Sequence, residues 1–109
     1  MKYAVLLTPT AQEEIEESFT YIHRDSPQAA ERWLTEIYQK IDTLETFPAR
    51  CPIAPDSDHV GEELRHLVFK SHRIIFRIEE SAAIIRVLGV RHGARLRWGE
   101  PSSEDSEES

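Results

Sequence analysis

The chain has 109 residues, of which 39% are hydrophobic and 30% are charged, and its formal net charge is −7. This length allows one domain, and the apolar run at residues 3–7 is far shorter than the ~20 residues of a membrane-spanning helix. The single cysteine, Cys51, cannot form an internal disulfide, so we expect a soluble cytosolic protein with no role at a membrane.

Residues 2–7 are mostly apolar and directly precede a helix start, so they predict a short buried strand. Two start signals overlap after this run. Thr8 can cap the helix with Pro9 as its first residue, or Thr10 can form a capping box with Glu13. Both alternatives predict a helix that begins as soon as the strand ends.

The helical pattern ends at Asp25, and Ser26 followed by Pro27 repeats the cap-plus-proline signal. A second helix is predicted over residues 27–47, because apolar residues recur there at the helical period. Its apolar stripe includes two aromatic residues that we expect in the core or packed within the hairpin, Trp33 and Tyr38. Two amphipathic helices joined by a tight turn predict an antiparallel helical hairpin.

Residues 48–63 contain three prolines and four acids without sustained periodicity, which predicts an irregular connector. Loops of this length without secondary structure often serve a functional site. Residues 64–70, 71–79 and 82–92 then predict three consecutive antiparallel strands. We therefore predict an α+β fold in which an N-terminal strand and a helical hairpin precede a three-stranded antiparallel sheet.

Charge is distributed unevenly along the chain. Residues 64–98 carry eight lysines and arginines against two acids, whereas the first sixty residues carry five bases against eleven acids. This local excess of positive charge predicts a surface for an anionic partner. Residues 99–109 contain five acids and no large apolar side chain, so we expect a disordered acidic tail after a folded domain of residues 1–98.

The middle predicted strand places Arg73, Ile75 and Arg77 on one face, because side chains alternate along a strand. A two-residue turn at residues 80–81 would set the register of the last hairpin. The predicted pairs are then Arg77 with Ile84, Ile75 with Arg86, and Arg73 with Leu88. A register shifted by one residue would place the charge of Arg86 in the core, which is unfavourable.

The predicted register brings three arginines together over an apolar floor. The arginines are Arg73, Arg77 and Arg86, and the floor residues are Ile75, Ile84, Leu88 and Val90. Exposed aliphatic side chains between unpaired arginines are typical of a protein-binding surface, so we expect this face to be open and to bind a partner. The alternative is a solvated sheet face without a partner.

Short motifs occur along the chain in the same order as these predicted elements. They are Leu7-Thr-Pro-Thr-Ala-Gln-Glu-Glu-Ile15, Ser26-Pro-Gln-Ala-Ala-Glu-Arg-Trp33, Phe47-Pro48, Leu64-Arg65, Ser71-His-Arg-Ile-Ile-Phe-Arg-Ile78 and Ile85-Arg-Val-Leu-Gly-Val-Arg-His-Gly-Ala-Arg95. With them, residues 2–97 resemble the ParE/RelE superfamily of toxins from bacterial type II toxin–antitoxin modules. The resemblance implies a small cytosolic growth inhibitor that a cognate antitoxin holds inactive in a hetero-oligomer.

The resemblance implies one of two activities. ParE-like members inhibit DNA gyrase, whereas RelE-like members are ribosome-dependent endoribonucleases that cut messenger RNA. Gyrase is the preferred target, because the C-terminal tyrosine of the RelE branch is missing near residues 96–98, and Glu62 and Glu63 replace its lysine-rich strand entry. Under the ribonuclease alternative, the candidate catalytic residues are Arg65, His66, Arg73 and His92.

Two binding surfaces are expected on such a toxin. The antitoxin is expected to bind Arg73, Ile75, Arg77, Ile84, Arg86 and Leu88. The target is expected to bind the basic C-terminal residues Arg91, His92, Arg95, Arg97 and Trp98, whose alternative role is a basic stub before the tail. Cys51 and His59 lack the spacing of a metal site and no phosphate-binding loop is present, so we expect no metal and no cofactor.

Overall fold

The computed structural model of the chain describes residues 2–93. Its helices are α1 (Pro9–Asp25), α2 (Pro27–Asp42) and the one-turn α3 (Ser57–Val60). Its strands are β1 (Ala4–Leu7), β2 (Arg65–Phe69), β3 (His72–Glu79) and β4 (Ile84–His92). None of the helices in this part of the chain has the length and apolar character needed to cross a bilayer. The predicted domain boundary at residue 98 and the predicted tail lie outside the described residues.

The four described strands form one sheet in the order β1-β4-β3-β2. Strands β2, β3 and β4 pair in antiparallel fashion, as predicted. Strand β1 instead lies parallel to β4, with Ala4 opposite Ile84 and Leu7 opposite Val87. The α+β prediction is confirmed, but the sheet is mixed rather than purely antiparallel. The sequence does not predict this parallel pairing, because strand signals are local and the partner of β1 lies near the other end of the described chain.

Both helices of the hairpin begin at the predicted cap-plus-proline signals. Thr8 is the N-cap of α1, and its hydroxyl accepts a hydrogen bond from the Ala11 backbone N–H at 3.2 Å. Ser26 caps α2 in the same way, with a bond of 3.1 Å from the Ala29 N–H. Of the two alternatives for α1, the structure therefore selects Thr8, because its side chain satisfies an N–H that the first helical turn leaves without a partner.

Helix α2 ends at Asp42, five residues before the predicted position. The chain continues in short 3₁₀ turns, and Phe47 takes a left-handed conformation with φ of 47°. A residue before proline avoids the helical region, and Pro48 follows here. The Arg50 guanidinium donates to the carbonyls of Thr46 at 2.8 Å and Phe47 at 3.0 Å. These bonds satisfy carbonyls that a continued helix would have bonded, and so stabilise the non-helical backbone at Phe47.

The main core lies between the helical hairpin and one face of the sheet. Its fully buried members include Ile15, Ile37, Ile74, Phe76, Ile85 and Val87. Trp33 is 5% exposed and belongs to this core, as predicted. Tyr38 is 40% exposed and is not part of this core, so of its two expected places only packing within the hairpin stays a prediction. Burial of such large apolar side chains supplies most of the free energy that holds the hairpin on the sheet.

The turn between β3 and β4 is longer than predicted, and it changes the register. A 3₁₀ turn over Glu80–Ala82 and a left-handed Ala83 replace the two-residue turn. Arg77 consequently lies opposite Arg86 rather than Ile84. The predicted pair of Arg77 is therefore wrong by two residues, and those of Ile75 and Arg73 are wrong by three, because they lie beyond an irregularity in the ladder. Because the shift at Arg77 is even, Arg77 and Arg86 still share a face of the sheet.

A β-bulge in β4 changes which residues face the core beyond Val87. Phe76 lies opposite Val87, but Ile75 lies opposite Gly89, so Leu88 is an additional residue in the ladder. After the bulge, Val90 pairs with Ile74 and is buried in the main core. The prediction that Val90 belongs to the floor beneath the arginines is therefore wrong, because it assumed strict alternation along β4.

Candidate functional site

Arg73, Arg77 and Arg86 lie on the face of the sheet opposite the main core, and we call this surface the arginine face. Alternation along β3 places Arg73 and Arg77 there, and Arg86 lies directly across from Arg77. The predicted grouping of the three side chains is confirmed. The expectation that they are unpaired is wrong, because each guanidinium contacts a carboxylate of the same chain.

Glu79 joins two of these arginines. Its carboxylate accepts a hydrogen bond from Arg86 Nε at 2.7 Å and another from Arg77 Nε at 3.0 Å. These bonds, the one from Arg86 foremost, lower the pKa of Glu79 to about 2. Arg77 also donates to Glu62, which lies in the segment between the helical hairpin and β2, at 2.8 Å. The side chains of Arg77 and Arg86 remain 35% and 34% exposed, so solvent and a partner can still reach them.

Arg73 has a different environment because its partner is buried. Its two terminal nitrogens contact Asp56 Oδ1 at 2.7 Å and Oδ2 at 3.1 Å, and the Asp56 side chain is 0% exposed. Such a two-point contact is the strongest geometry for an arginine–carboxylate pair. His66 Nδ1 lies 3.2 Å from Arg73 Nη1. Burial, and then the charge of Arg73, lower the pKa of His66, which favours a neutral imidazole at pH 7.

The predicted apolar floor is covered by the connector, which we define as residues 48–63. Ile75 is 0% exposed and packs in a small cluster with Ala54 and Leu64, to which Leu88 adds a partly buried side chain. Ser57 fastens the connector, because its hydroxyl both donates to the Leu64 carbonyl at 3.0 Å and accepts from the Leu64 N–H at 2.8 Å. The expectation of an open floor is therefore wrong.

The four residues proposed as catalytic under the ribonuclease alternative do not form one cluster. His66 and Arg73 are in contact, as described above. Arg65 instead donates to backbone carbonyls of the connector, including that of Ala49 at 3.2 Å. His92 packs against the ring of His72, with ring centroids 5.4 Å apart. Within residues 2–93, no group of three or more His, Cys, Asp or Glu side chains is arranged to hold a metal ion.

A groove beside His92 contains contacts that the sequence does not predict. His72 Nε2 lies 3.0 Å from the Ser18 hydroxyl. The His72 ring also contacts the rings of Trp33 and His92, with centroid distances of 5.2 and 5.4 Å. The groove has a volume of about 920 Å³, and its lining includes three acids, Glu13, Glu16 and Glu17. These residues come from α1, α2 and the ends of β3 and β4, so only the tertiary fold brings them together.

The predicted target-binding residues are only partly within the described chain. Arg91 Nε lies 3.3 Å from Glu14 Oε2, and the two side chains are 22% and 13% exposed. Arg91 is therefore paired with α1 rather than free. Arg95, Arg97 and Trp98 lie outside the described residues, so their predicted role is not tested by the structure.

Two solved structures of toxin–antitoxin systems contain chains whose fold is similar to this one. The toxin–antitoxin complex RelBE2 from Mycobacterium tuberculosis contains a chain that matches with a TM-score of 0.61 and 19% identity, covering 84% of this chain and 99% of that one. The chromosomal ParDE system from P. aeruginosa matches with a TM-score of 0.65 and 14% identity, covering 84% and 96%. At these identities the likeness establishes the fold.

The family follows from the sequence itself. Residues 5–97 match the family described as the ParE toxin of the type II toxin–antitoxin system, parDE. The chain therefore belongs to the ParE toxin family, which confirms the predicted ParE/RelE resemblance. No curated protein matches the chain significantly.

Proposed function

We propose that this ParE-family toxin acts in the cytoplasm by inhibiting DNA gyrase, and that a cognate antitoxin neutralises it in a hetero-oligomer. Membership of the ParE toxin family supports the gyrase target, and the two similar structures, which are toxin–antitoxin systems, support the antitoxin. The observation that carries the choice between the two activities is the contact of Arg73 with the buried Asp56.

Cleavage of RNA through the ribose 2′-hydroxyl needs a cation near the phosphorane and groups that accept and donate protons. Arg73 is one of the candidate catalytic residues of the ribonuclease alternative and would supply this cation, but the Asp56 carboxylate already balances its charge. His66 beside it has a lowered pKa, so it adds no positive charge at pH 7. Glu62 also lies on this face and would repel a phosphate backbone. Together these contacts favour a binding protein over a nuclease.

The purified toxin is expected to inhibit supercoiling by gyrase and to leave ribosome-bound messenger RNA intact. The His66→Gln variant serves as the matched test, because a ribonuclease that uses His66 would lose activity whereas a gyrase inhibitor would not. Supercoiling is measured on relaxed plasmid and cleavage by primer extension on translated messenger RNA. Codon-positioned cuts that His66→Gln removes, with normal supercoiling, would instead establish the ribonuclease activity.

For the antitoxin, we propose that the accessible part of the expected surface makes the first contact. Arg77 and Arg86 are about one-third exposed, and Ile84 is half-buried beside them. The remaining expected residues, Arg73, Ile75 and Leu88, are covered wholly or in part by the connector. An acidic antitoxin segment would therefore compete with Glu62 for Arg77, and with Glu79 for both exposed arginines.

The Glu62→Gln substitution is expected to tighten antitoxin binding by about twofold to fivefold, because it removes a surface ion pair that competes for Arg77. Glu63→Gln is the control, since Glu63 contacts Arg65 at 3.4 Å and not the arginine face. Titration calorimetry with the antitoxin encoded beside the gene measures both. Equal affinity of the two variants would show that the antitoxin does not use Arg77.

A further inference from the structure

Strand β1 extends the arginine face at the edge of the sheet opposite β2. Its register with β4 places Leu6 beside Arg86 and Ala4 beside Ile84, so both β1 side chains lie on the arginine face. Leu6 is 44% exposed, and Ala4 is exposed as well. We call the accessible part of this face the open half, and its residues are Ala4, Leu6, Arg77, Ile84 and Arg86. The open half thus carries apolar side chains as well as positive charge.

The segment that follows α2 lies along the outer side of β1. The Tyr3 N–H donates to the Glu45 carbonyl at 2.9 Å, and Lys2 forms an isolated antiparallel bridge with Thr46. Phe47 comes directly after this bridge, and it is 67% exposed. A large aromatic side chain therefore lies next to the start of β1, at the border of the open half.

The backbone that presents Phe47 is fixed by several contacts. Its left-handed conformation is unfavourable for a bulky residue and persists only where the surrounding structure holds it. Arg50 bonds to the carbonyls on either side of this bend, as described above, and also to the Thr43 hydroxyl at 3.0 Å, while Pro48 is buried. A side chain on such a fixed backbone loses less conformational freedom when a partner binds.

Charge indicates which partner this surface fits. The acceptors of Arg50 are neutral oxygens, and none of the ion pairs among residues 2–93 includes Arg50, so its positive charge is not balanced by a carboxylate. Arg86 lies beside Leu6 in the same way that Arg50 lies beside Phe47. Phenylalanine and arginine are both enriched in protein interfaces. Apolar side chains bordered by cations fit a segment that carries apolar residues among acids.

The size of the expected antitoxin contact also calls for a wider surface. Arg77 and Arg86 are about one-third exposed and Ile84 is half-buried. Three such side chains offer far less than the ~800 Å² that each partner buries in a stable protein interface. Leu6 and Phe47 are the large exposed apolar side chains next to them, so they are the natural extension of the contact.

We propose that the open half and Phe47 form one binding surface for the antitoxin, with Leu6 and Phe47 as its apolar anchors. Carboxylates of the bound segment meet Arg77 and Arg86, and its apolar side chains pack on Leu6 and Phe47. The inference rests on the proposed function in taking the antitoxin as the occupant, and it adds two contacts outside the surface that the sequence predicts.

Four variants of the full-length toxin test these contacts. Leu6→Thr and Phe47→Asn remove the apolar side chains without disfavouring the backbone, because threonine suits a strand and asparagine tolerates the left-handed region. Phe47→Tyr keeps the aromatic ring. Tyr21→Gln is the matched control, because Tyr21 is 70% exposed on α1, which packs on the other face of the sheet. Titration calorimetry with the purified antitoxin encoded beside the gene measures affinity, and the urea midpoint and growth arrest without antitoxin are measured beside it.

Leu6→Thr and Phe47→Asn are each expected to weaken antitoxin binding by about tenfold, which is the loss typical of an interface anchor. Their urea midpoints and growth arrest should match those of the unmodified toxin. Phe47→Tyr and Tyr21→Gln should keep the affinity within about twofold.

Affinity unchanged by either Leu6→Thr or Phe47→Asn would overturn the inference. The proposed antitoxin contact would survive that result if Arg77→Gln with Arg86→Gln still weakens binding. Loss of growth arrest at unchanged antitoxin affinity would assign the surface to the target instead, and a toxin dimer that Leu6→Thr separates would assign it to a second copy. An unmodified toxin that does not bind the antitoxin would overturn both proposals. If one variant fails to fold, the other decides.

Discussion

Replacing Asp56 by alanine is expected to lower the free energy of unfolding by about 3 to 5 kcal/mol, because the substitution leaves the Arg73 guanidinium without its buried counter-charge. Asp56 is 0% exposed and Arg73 only 17%, so water cannot take over the lost contact without local opening. The connector should detach from the sheet at the same time. Urea unfolding measures the first effect, and amide exchange of residues 52–64 the second.

Two further variants test this explanation. Asp58→Ala is the matched control, because Asp58 is an exposed acid of the same connector and should change stability little. The double variant Asp56→Ala with Arg73→Leu should recover much of the loss, since removing both charges is far less unfavourable than removing one. A loss below about 1 kcal/mol for Asp56→Ala alone would contradict a closed connector and restore the open face that the sequence predicts.

Ending the chain after Gly93 is expected to abolish growth arrest while retaining the fold and antitoxin binding. The shortened chain keeps the core residue Val90 and the hydrogen bond from the Gly93 N–H to the Ser71 carbonyl, but lacks the basic side chains Arg95 and Arg97. A cut after Leu88, which strand patterning alone would permit, removes Val90 and should unfold the protein. Growth on inducing medium and binding to immobilised antitoxin measure the two properties.

The control for this truncation is a chain that ends at Trp98 and lacks only residues 99–109. It should arrest growth as strongly as the full chain, because the target is expected to bind the basic residues that end at Trp98 and not the five acids of residues 99–109. Growth arrest by the chain ending at Gly93 would show that the basic residues after it are not needed, and that residues 1–93 are sufficient for toxicity.

Local chemistry made the helices and strands predictable. The caps at Thr8 and Ser26 could be read because each depends on residues within one helical turn. The end of α2 was missed because apolar spacing continues to Phe47, whereas the left-handed backbone there depends on the following proline and on Arg50. The parallel partner of β1 was missed because no local signal specifies it.

For the arginine face, the sequence predicts which arginines lie together but not which acids pair with them. Alternation along β3 correctly grouped Arg73 with Arg77, and the even shift of the hairpin preserved Arg86 beside them. The counter-charges were not predictable, because Asp56 comes from an irregular loop whose path over the sheet is set by packing of Ala54 and Leu64 on Ile75. The sequence signal for such a pairing is a proline-rich loop with four acids before an arginine-rich strand, but it does not single out Asp56.

The bulge at Leu88 sets where the last strand tolerates a change in length. Because Val87 and Gly89 already lie opposite adjacent residues of β3, deleting the codon for Leu88 would regularise the ladder and leave Val90 inward and Arg91 opposite Arg73. Deleting one residue elsewhere in β4 would shift its pairing with β3 by one residue. Over part of the strand, side chains that face the core would then face the opposite side of the sheet. When relatives are aligned, a one-residue gap in this strand therefore belongs at Leu88.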